Sequence, residues 1–261
     1  MTELSVFVLN RENCDFFSSF LSELDSEIIS EISENKIVFK KPNDNFNEEI
    51  YNILSKVIFD KFSKKILIKC VNTGCKYLTK QDKYEVWKKS FKSIMKDMID
   101  CNAEHLYRIS VIKSNLKEFC ENSEIICLEG FVNFRLKELE QDFEYVIEEC
   151  TEDYMTELEY REFINMLKYF VSVQSPLFLS VEVIYGKKIT IYADGKNVTD
   201  ECAAEFNKEI FENNKGDFLL NSLISIAPKK IVIKQDKEFL NEELKKTLLG
   251  IFGDKLKIKT E

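Results

Sequence analysis

Carboxylates are concentrated in one segment of this chain, and side chains of this kind can bind a metal ion or a basic partner. Between Glu129 and Glu162, twelve aspartates and glutamates stand against three basic residues, which gives the segment a net charge of −9. The whole chain has the same net charge, so the remaining residues balance. Such a segment is typical of a solvated helix face, of a docking surface for a basic partner, or of a carboxylate metal site.

The metal-site interpretation depends on Glu144, Glu148 and Glu149, which have helical spacing. Histidine gives it no support, because His105 is the only one in the chain and no E-x-x-H pair exists. A single histidine also argues against most zinc sites and against histidine-dependent nucleophilic catalysis. The sequence has no phosphate-binding loop, dinucleotide fingerprint or nucleophile elbow. We therefore predict a non-enzymatic protein with no cofactor, no metal and no catalytic residue.

The eight cysteines do not indicate a disulfide framework. None of them forms a C-x-x-C motif, and disulfide frameworks belong mainly to small secreted domains. Cys127 and Cys150 each fall among apolar residues at helical spacing. We predict that the cysteines pack as small apolar side chains.

A partner-binding surface is predicted on the helices formed by the acidic segment. Four glutamates recur at every fourth residue and would present charge along one side of a helix. Phenylalanines at helical spacing would set the packing, and Arg135 is expected to pair with a carboxylate such as Glu138 or Glu159. The predicted partner-binding residues are Phe131, Phe134, Arg135, Glu140, Glu144, Glu148, Glu152 and Tyr160.

A run of aromatic residues follows the acidic block at helical spacing. Its members are Tyr154, Tyr160, Phe163, Tyr169 and Phe170. The spacing favours burial in the core, and a groove for a partner is the alternative, since tyrosine and phenylalanine are enriched at interfaces.

The alternative function is a nucleic-acid-binding module at the C-terminus. Lys255, Lys257 and Lys259 alternate with apolar residues on the last predicted strand. Lysines on an edge strand also protect a sheet from pairing with other chains. A nucleic-acid surface requires more positive charge with interleaved aromatic residues, so the protein-binding interpretation is favoured over this one.

The elements that position these residues can be read from periodicity and breakers. Apolar spacing predicts helices over 13–32, 47–71, 79–98, 104–120, 124–150 and 156–173, with the last two forming an antiparallel pair. Short β-branched runs predict strands at 4–9 and 36–39. The segments LSVEVIY at 179–185 and KITIY at 188–192 predict a hairpin, and KKIVIK, a helix over 241–252 and KLKIK predict a strand–helix–strand unit.

The predicted fold is α+β and helix-rich, with a small N-terminal α/β piece, the central helical pair and a small C-terminal mixed sheet. The corresponding regions are 1–100, 101–176 and 177–261, and we expect them to share one core. No apolar run approaches the ~20 residues that cross a bilayer, and the N-terminal MTELSVFVLNREN lacks the basic region of a signal peptide. We therefore expect the protein in the cytoplasm.

Four short motifs resemble those of a known family. They are EGFVNFRLK at 129–137, EYREFI at 159–164, LKYFV at 167–171 and ISIAPKKIVI at 224–233. Their order and spacing are similar to those of the YtxC-like family, and the resemblance is best over residues 129–261. It implies a link to sporulation in endospore-forming bacteria, and it implies no reaction or catalytic residue. With the acidic segment, it leads us to expect a sporulation factor that binds a protein partner with a basic surface.

Overall fold

The computed structural model describes residues 3–7, 29–33, 36–40, 46–121, 123, 125–204, 214–235 and 240–260. These residues form two compact units, Met1–Met155 and Thr156–Glu261. The fold is α+β and helix-rich, as the sequence predicts. The division into three regions that share one core stays a prediction.

The first unit contains a four-stranded sheet in the order β2-β3-β1-β4. Its strands are β1 (Glu3–Phe7), β2 (Ile29–Ser33), β3 (Lys36–Lys40) and β4 (Ile125–Cys127). β1 pairs antiparallel with β3 and parallel with β4. The side chains of Val6, Val38, Phe39 and Ile126 are buried. Because Val38 and Phe39 are consecutive and point to opposite faces, both faces of β3 are covered at this position.

The predicted strands are confirmed at 4–7 and 36–39, whereas the helix predicted over 13–32 is wrong at its end. Residues 29–33 form β2, which pairs antiparallel with β3 and has a register shift between Ile29 and Glu31. The two isoleucines of ISEIS are three residues apart, a spacing that fits a helix as well as a strand, so pairing with β3 decided the structure of this segment. Residues 8–28 lie outside the described part of the chain.

The helices of the first unit follow the predicted periodicity closely. They are α1 (Phe46–Gly74), α2 (Lys80–Asp100), α3 (Ala103–Glu121), α4 (Leu128–Arg135) and the first part of α5 (Lys137–Val173). Thr79 caps α2 by a reciprocal arrangement with Asp82, in which each side chain accepts from the other residue's backbone N–H. The buried residues include Phe59, Ile94, Ile112 and Phe143, each of which contributes roughly 1.5–3 kcal/mol through burial.

The predicted antiparallel pair over 124–150 and 156–173 is wrong. Ile125–Cys127 is a strand, the backbone breaks at Leu136 (φ −98°, ψ 39°), and one helix then runs from Lys137 to Val173. No glycine or proline lies between residues 150 and 156 to end a helix. Thr151 is compatible with a continuous helix, because its hydroxyl donates to the Ile147 carbonyl at 2.6 Å within the helix.

The second unit contains a five-stranded sheet in the order β7-β6-β5-β8-β9. Its strands are β5 (Ser180–Tyr185), β6 (Ile189–Ala193), β7 (Lys196–Asn197), β8 (Lys230–Gln235) and β9 (Leu256–Thr260). The predicted hairpin is confirmed, since β5 and β6 pair antiparallel. Asp194 and Gly195 turn the chain with φ values of 45° and 83°, which suits an Asp-Gly turn.

Three further helices of the second unit lie in its described part: α6 (Thr199–Ala204), α7 (Lys215–Ile226) and α8 (Glu242–Phe252). The strand–helix–strand unit is confirmed, because β8, α8 and β9 follow in order and the strands are parallel. Residues of the sheet, α7, α8 and the last part of α5 form one core, in which Val183, Ile233 and Phe218 are fully buried.

The C-terminal lysines occupy the position that edge protection requires. β9 is the last strand of the sheet, and Lys257 and Lys259 are exposed while Leu256 is buried. Lys255 belongs to a short 3-10 helix, Gly253–Lys255, and not to the strand as predicted. Lysines in this arrangement discourage another strand from pairing with the edge.

Candidate interaction surface

The outer side of α5 in the first unit carries exposed carboxylates. Glu144, Glu148 and Glu152 are exposed, as is Glu149. We call this side, formed by Glu144, Tyr145, Glu148, Glu149 and Glu152, the acidic face. Residues four apart on a helix are offset by about 40° around its axis, so Glu144, Glu148 and Glu152 form a row that winds slowly around the helix. The predicted charge presentation is therefore placed on one continuous and regular helix.

Glu140 begins the same row but has a different environment. Its carboxylate forms an ion pair with Lys69 of α1, and its side chain is only 21% exposed. Its carbonyl oxygen accepts a weak hydrogen bond from Cys70 Sγ at 3.9 Å. Glu140 thus lies at the margin where α5 contacts α1, and the charge that it presents is partly neutralised.

Tyr145 lies within the acidic face and was not singled out by sequence reasoning. It is 63% exposed. A hydrogen bond to the Glu149 carboxylate, with the charges of Glu148 and Glu152, raises the pKa of Tyr145 above its ordinary value. Sequence reasoning could have identified Tyr145 from its position one residue after Glu144, because that position lies on the side of the helix opposite the buried apolar residues.

The inner side of α5 is anchored in the first unit. Leu139, Phe143 and Ile147 are buried, and the Phe143 ring meets Phe59 edge-on at 6.5 Å. Tyr154 is also buried, and its hydroxyl donates to Asp82 at 2.6 Å. This packing holds the acidic face in a fixed conformation before any partner binds.

A buried ion cluster fixes the helices beneath the acidic face. The Arg108 side chain is almost fully buried, with Nη1 2.7 Å from Asp97 Oδ2 and Nε 2.6 Å from Asp142 Oδ2. Its guanidinium lies 5.9 Å from the centre of the Phe143 ring. Burial tends to lower the pKa of Arg108, but the hydrogen bonds to Asp142 and Asp97 outweigh burial and raise it. The cluster joins α2, α3 and α5, and sequence reasoning missed it because its members are 11 and 34 residues apart.

His105 packs beside this cluster without a catalytic arrangement. It is buried, and its ring meets Phe59 edge-on at 5.0 Å. Burial lowers its pKa below the ordinary value. Its Nδ1 has no hydrogen-bond partner among the described residues. Cys101 ends α2 in a left-handed conformation and is exposed.

Phe131, Phe134 and Arg135 have three different environments. Phe131 is buried and meets Phe119 edge-on at 5.9 Å. Phe134 is 75% exposed, which corrects the expectation that it sets the packing. The helical backbone breaks at Leu136, so the row of buried apolar residues on α5 does not continue along α4. Phe134 is therefore left on the outside.

Arg135 is exposed, and its guanidinium lies over the Phe119 ring at 5.5 Å. The expected pair with Glu138 is not formed: the Arg135 guanidinium lies over Phe119, and the Glu138 carboxylate accepts a hydrogen bond from the Tyr107 hydroxyl at 2.9 Å. Pairing with Glu159, which belongs to the second unit, stays a prediction.

The aromatic run after the acidic block is mostly exposed, which contradicts the expectation of burial. Tyr154 is buried, but Tyr160, Phe163, Tyr169 and Phe170 are between 45% and 69% exposed. In the second unit α5 instead buries Ile164 and Val171. Tyr160 donates to or accepts from Thr247 Oγ1 at 2.7 Å. It belongs to the second unit, so the structure does not place it on the acidic face.

The described residues include no group of three or more histidine, cysteine or acidic side chains that could hold a metal ion. Every cysteine in that part of the chain is free. Cys70 and Cys75 are buried, and burial raises the pKa of Cys70 to about 12. In the same residues, the structure shows no helix that is long and apolar enough to cross a membrane.

Comparison with known proteins places the chain in a family. Over 157 residues it is 22% identical to a protein named "Uncharacterized protein YtxC" of Bacillus subtilis (strain 168). The match covers 59% of this chain and 55% of that relative, so the chain spans about half of the relative's length. No solved structure matches the chain. The YtxC-like family model matches residues 48–257, which extends the resemblance well before residue 129. The chain therefore belongs to the YtxC-like family.

Proposed function

We propose that this protein is a cytoplasmic, non-enzymatic factor linked to sporulation, and that it binds a protein partner with a basic surface through the acidic face. One observation carries the proposal: Glu144, Glu148 and Glu152 are exposed on a helix whose opposite side is buried. The link to sporulation derives from the resemblance to the family and not from the geometry.

The physical basis is electrostatic complementarity on a preformed surface. Because α5 is fixed by Phe143, Ile147 and the Arg108 cluster, binding requires no folding of the helix and loses little conformational entropy. Complementary charge steers encounter and raises the association rate more than the affinity. Binding should weaken with salt, because the Debye length is about 10 Å at 0.1 M ionic strength.

The test is affinity capture of the tagged full chain from sporulating cells of its source. The variant changes Glu144, Glu148 and Glu152 to Lys and keeps Glu140, which pairs with Lys69. The three lysines repel one another about as strongly as the three glutamates do, because their spacing is the same. The helix should therefore persist in the variant. A matched control changes the exposed Glu159, Glu162 and Asp254 of the second unit to Lys.

We expect the wild type and the control to retain a protein partner that the acidic-face variant loses. Retention by the wild type should also fall as salt is raised. Equal recovery by all three proteins would contradict the proposal and make the acidic face a solvated surface.

A further inference from the structure

The first unit also carries a surface of opposite charge. Residues 56–96 contain twelve lysines against Asp60, Asp82 and Glu85, a net charge of +9. This value is equal and opposite to that of the acidic segment 129–162. The segment covers most of α1 and α2. The residues outside the acidic segment have no net charge in total, and they nevertheless include this strongly basic pair of helices.

A groove on this helical pair combines lysines with an apolar floor. It has a volume of about 310 Å³ and lies between α1 and α2. Its rim carries Lys64, Lys80 and Lys83, and its apolar lining includes Ile68, Val71 and Trp87. We call these six residues the basic groove. Ile68 is 42% exposed, so apolar surface is accessible to a partner there.

The indole of Trp87 already has aromatic and cationic neighbours. Phe91 stacks on it with ring centres 5.5 Å apart, and Lys64 Nζ lies 5.7 Å from its centre. A nucleic-acid base would have to displace one of them in order to stack on this ring. The groove is therefore better suited to an apolar or aromatic side chain that enters it while carboxylates meet the lysines.

The acidic face of the same chain offers both an aromatic side chain and carboxylates. Tyr145 projects from it with 63% exposure and is flanked by Glu144, Glu148 and Glu149. An aromatic anchor surrounded by carboxylates complements an apolar floor surrounded by lysines. Tyrosine is also among the residues that most often dominate binding energy at interfaces.

The basic segment 56–96 meets the margin of the acidic face within one copy. Lys69 of the basic segment forms an ion pair with Glu140 at the margin of the acidic face. A twofold axis can pair the acidic face of each copy with the basic groove of the other, because a twofold contact joins two different patches reciprocally. Such a contact is self-complementary and closes as a dimer, without leaving an open site for further copies.

We propose that the partner of the acidic face is the basic groove of a second copy of this chain, with Tyr145 entering the groove. This proposal rests on the proposed function, because it names the basic partner.

The test is an exchange of charges, followed by sedimentation of the full-length proteins. One variant changes Glu144, Glu148 and Glu152 to Lys, and another changes Lys64, Lys80 and Lys83 to Glu. We expect a wild-type dimer that weakens with salt, and a dimer dissociation constant raised at least about tenfold in each variant alone. An equimolar mixture of the two variants should again form a dimer, since both of its contacts join opposite charges.

A matched control changes Lys255, Lys257 and Lys259 to Glu and should leave the dimer unchanged. A wild type that stays monomeric at all concentrations, or a mixture that stays monomeric, would overturn this proposal. If capture from cells still depends on the acidic face in that case, the proposed function stands with another basic partner. Binding of single-stranded RNA that depends on the groove lysines would also overturn the proposal and assign the groove to nucleic acid.

Discussion

The two sides of α5 carry the same residue types in opposite roles. Asp142 turns inward and binds the buried Arg108, whereas Glu144 and Glu148 are exposed. Phe143 is fully buried, whereas Tyr145, two residues later in the same helix, is 63% exposed. Two residues along a helix correspond to about 200° of rotation. Position in the helical period, and not residue type, therefore separates the side that holds the unit together from the side available to a partner.

The largest expected effect contrasts two phenylalanines. Phe143→Ala should lower the free energy of unfolding of the first unit by about 3–5 kcal/mol, since it leaves a cavity in a packed core. Phe134→Ala should change it by less than about 0.5 kcal/mol, because the ring is exposed. Denaturant unfolding followed by the fluorescence of Trp87, the only tryptophan, reports on the first unit. Similar losses in both variants would contradict the assignment of inner and outer sides.

Removal of the buried cation should have the next largest effect. Arg108→Met leaves Asp97 and Asp142 without their partner and should cost about 3 kcal/mol of unfolding free energy. The triple variant Asp97→Asn, Arg108→Met, Asp142→Asn should lose less, because no unpaired charge remains. The same fluorescence measurement applies. A triple variant no more stable than the single one would show that the ion cluster does not act through charge.

The smallest expected effect is a pH dependence from His105. Burial lowers its pKa below 6.5, so the unfolded chain binds this proton at a higher pH than the folded chain. This contribution to the free energy of unfolding is fully present above about pH 6.5. As the pH falls below that value, the contribution decreases by at most about 1.4 kcal/mol per pH unit, because one more proton binds to the unfolded chain.

The comparison that isolates this effect is His105→Phe, which keeps an aromatic ring beside Phe59. The stability difference between the wild type and this variant should change between pH 7.5 and 5, with the wild type losing more at low pH. Burial raises the pKa of Asp60, and the charge of His105 acts against that shift. Both proteins therefore also carry Asp60→Asn, so that the titration of His105 alone differs between them. A difference that does not vary with pH would show that His105 titrates alike in both states.

Local signals made most elements predictable. Thr79 and Asp82 form a capping box that marks the start of α2, and Asp194-Gly195 marks a turn. The alternation of polar and apolar residues in SVEV matches the burial pattern of β5, and Ile184 continues the more exposed side although it is apolar. The first helix of the predicted pair was started too early, because Ile125 and Ile126 fit a helical period as well as a strand. Only pairing with β1 decided between the two.

The site was predictable in part. The row Glu144, Glu148 and Glu152 lies on the exposed side of one helix, as its spacing indicates. Phe134 and Arg135 were misplaced, because the break at Leu136 depends on how α4 and α5 each pack. Lys64 and Trp87 were overlooked, since they are 23 residues apart and only the packing of α1 on α2 makes them neighbours.

The helix-rich α+β class, the acidic segment and its helical period follow from the amino-acid sequence alone, because each depends on composition or on neighbours within a few residues. Which carboxylates are neutralised depends on how the helices pack. Glu140 meets Lys69 and Asp142 meets Arg108, across 71 and 34 residues. Helix packing also decided that lysines from two helices line one groove. These are contacts between distant residues, and the period of a single helix carries no information about the partner that its side chains meet.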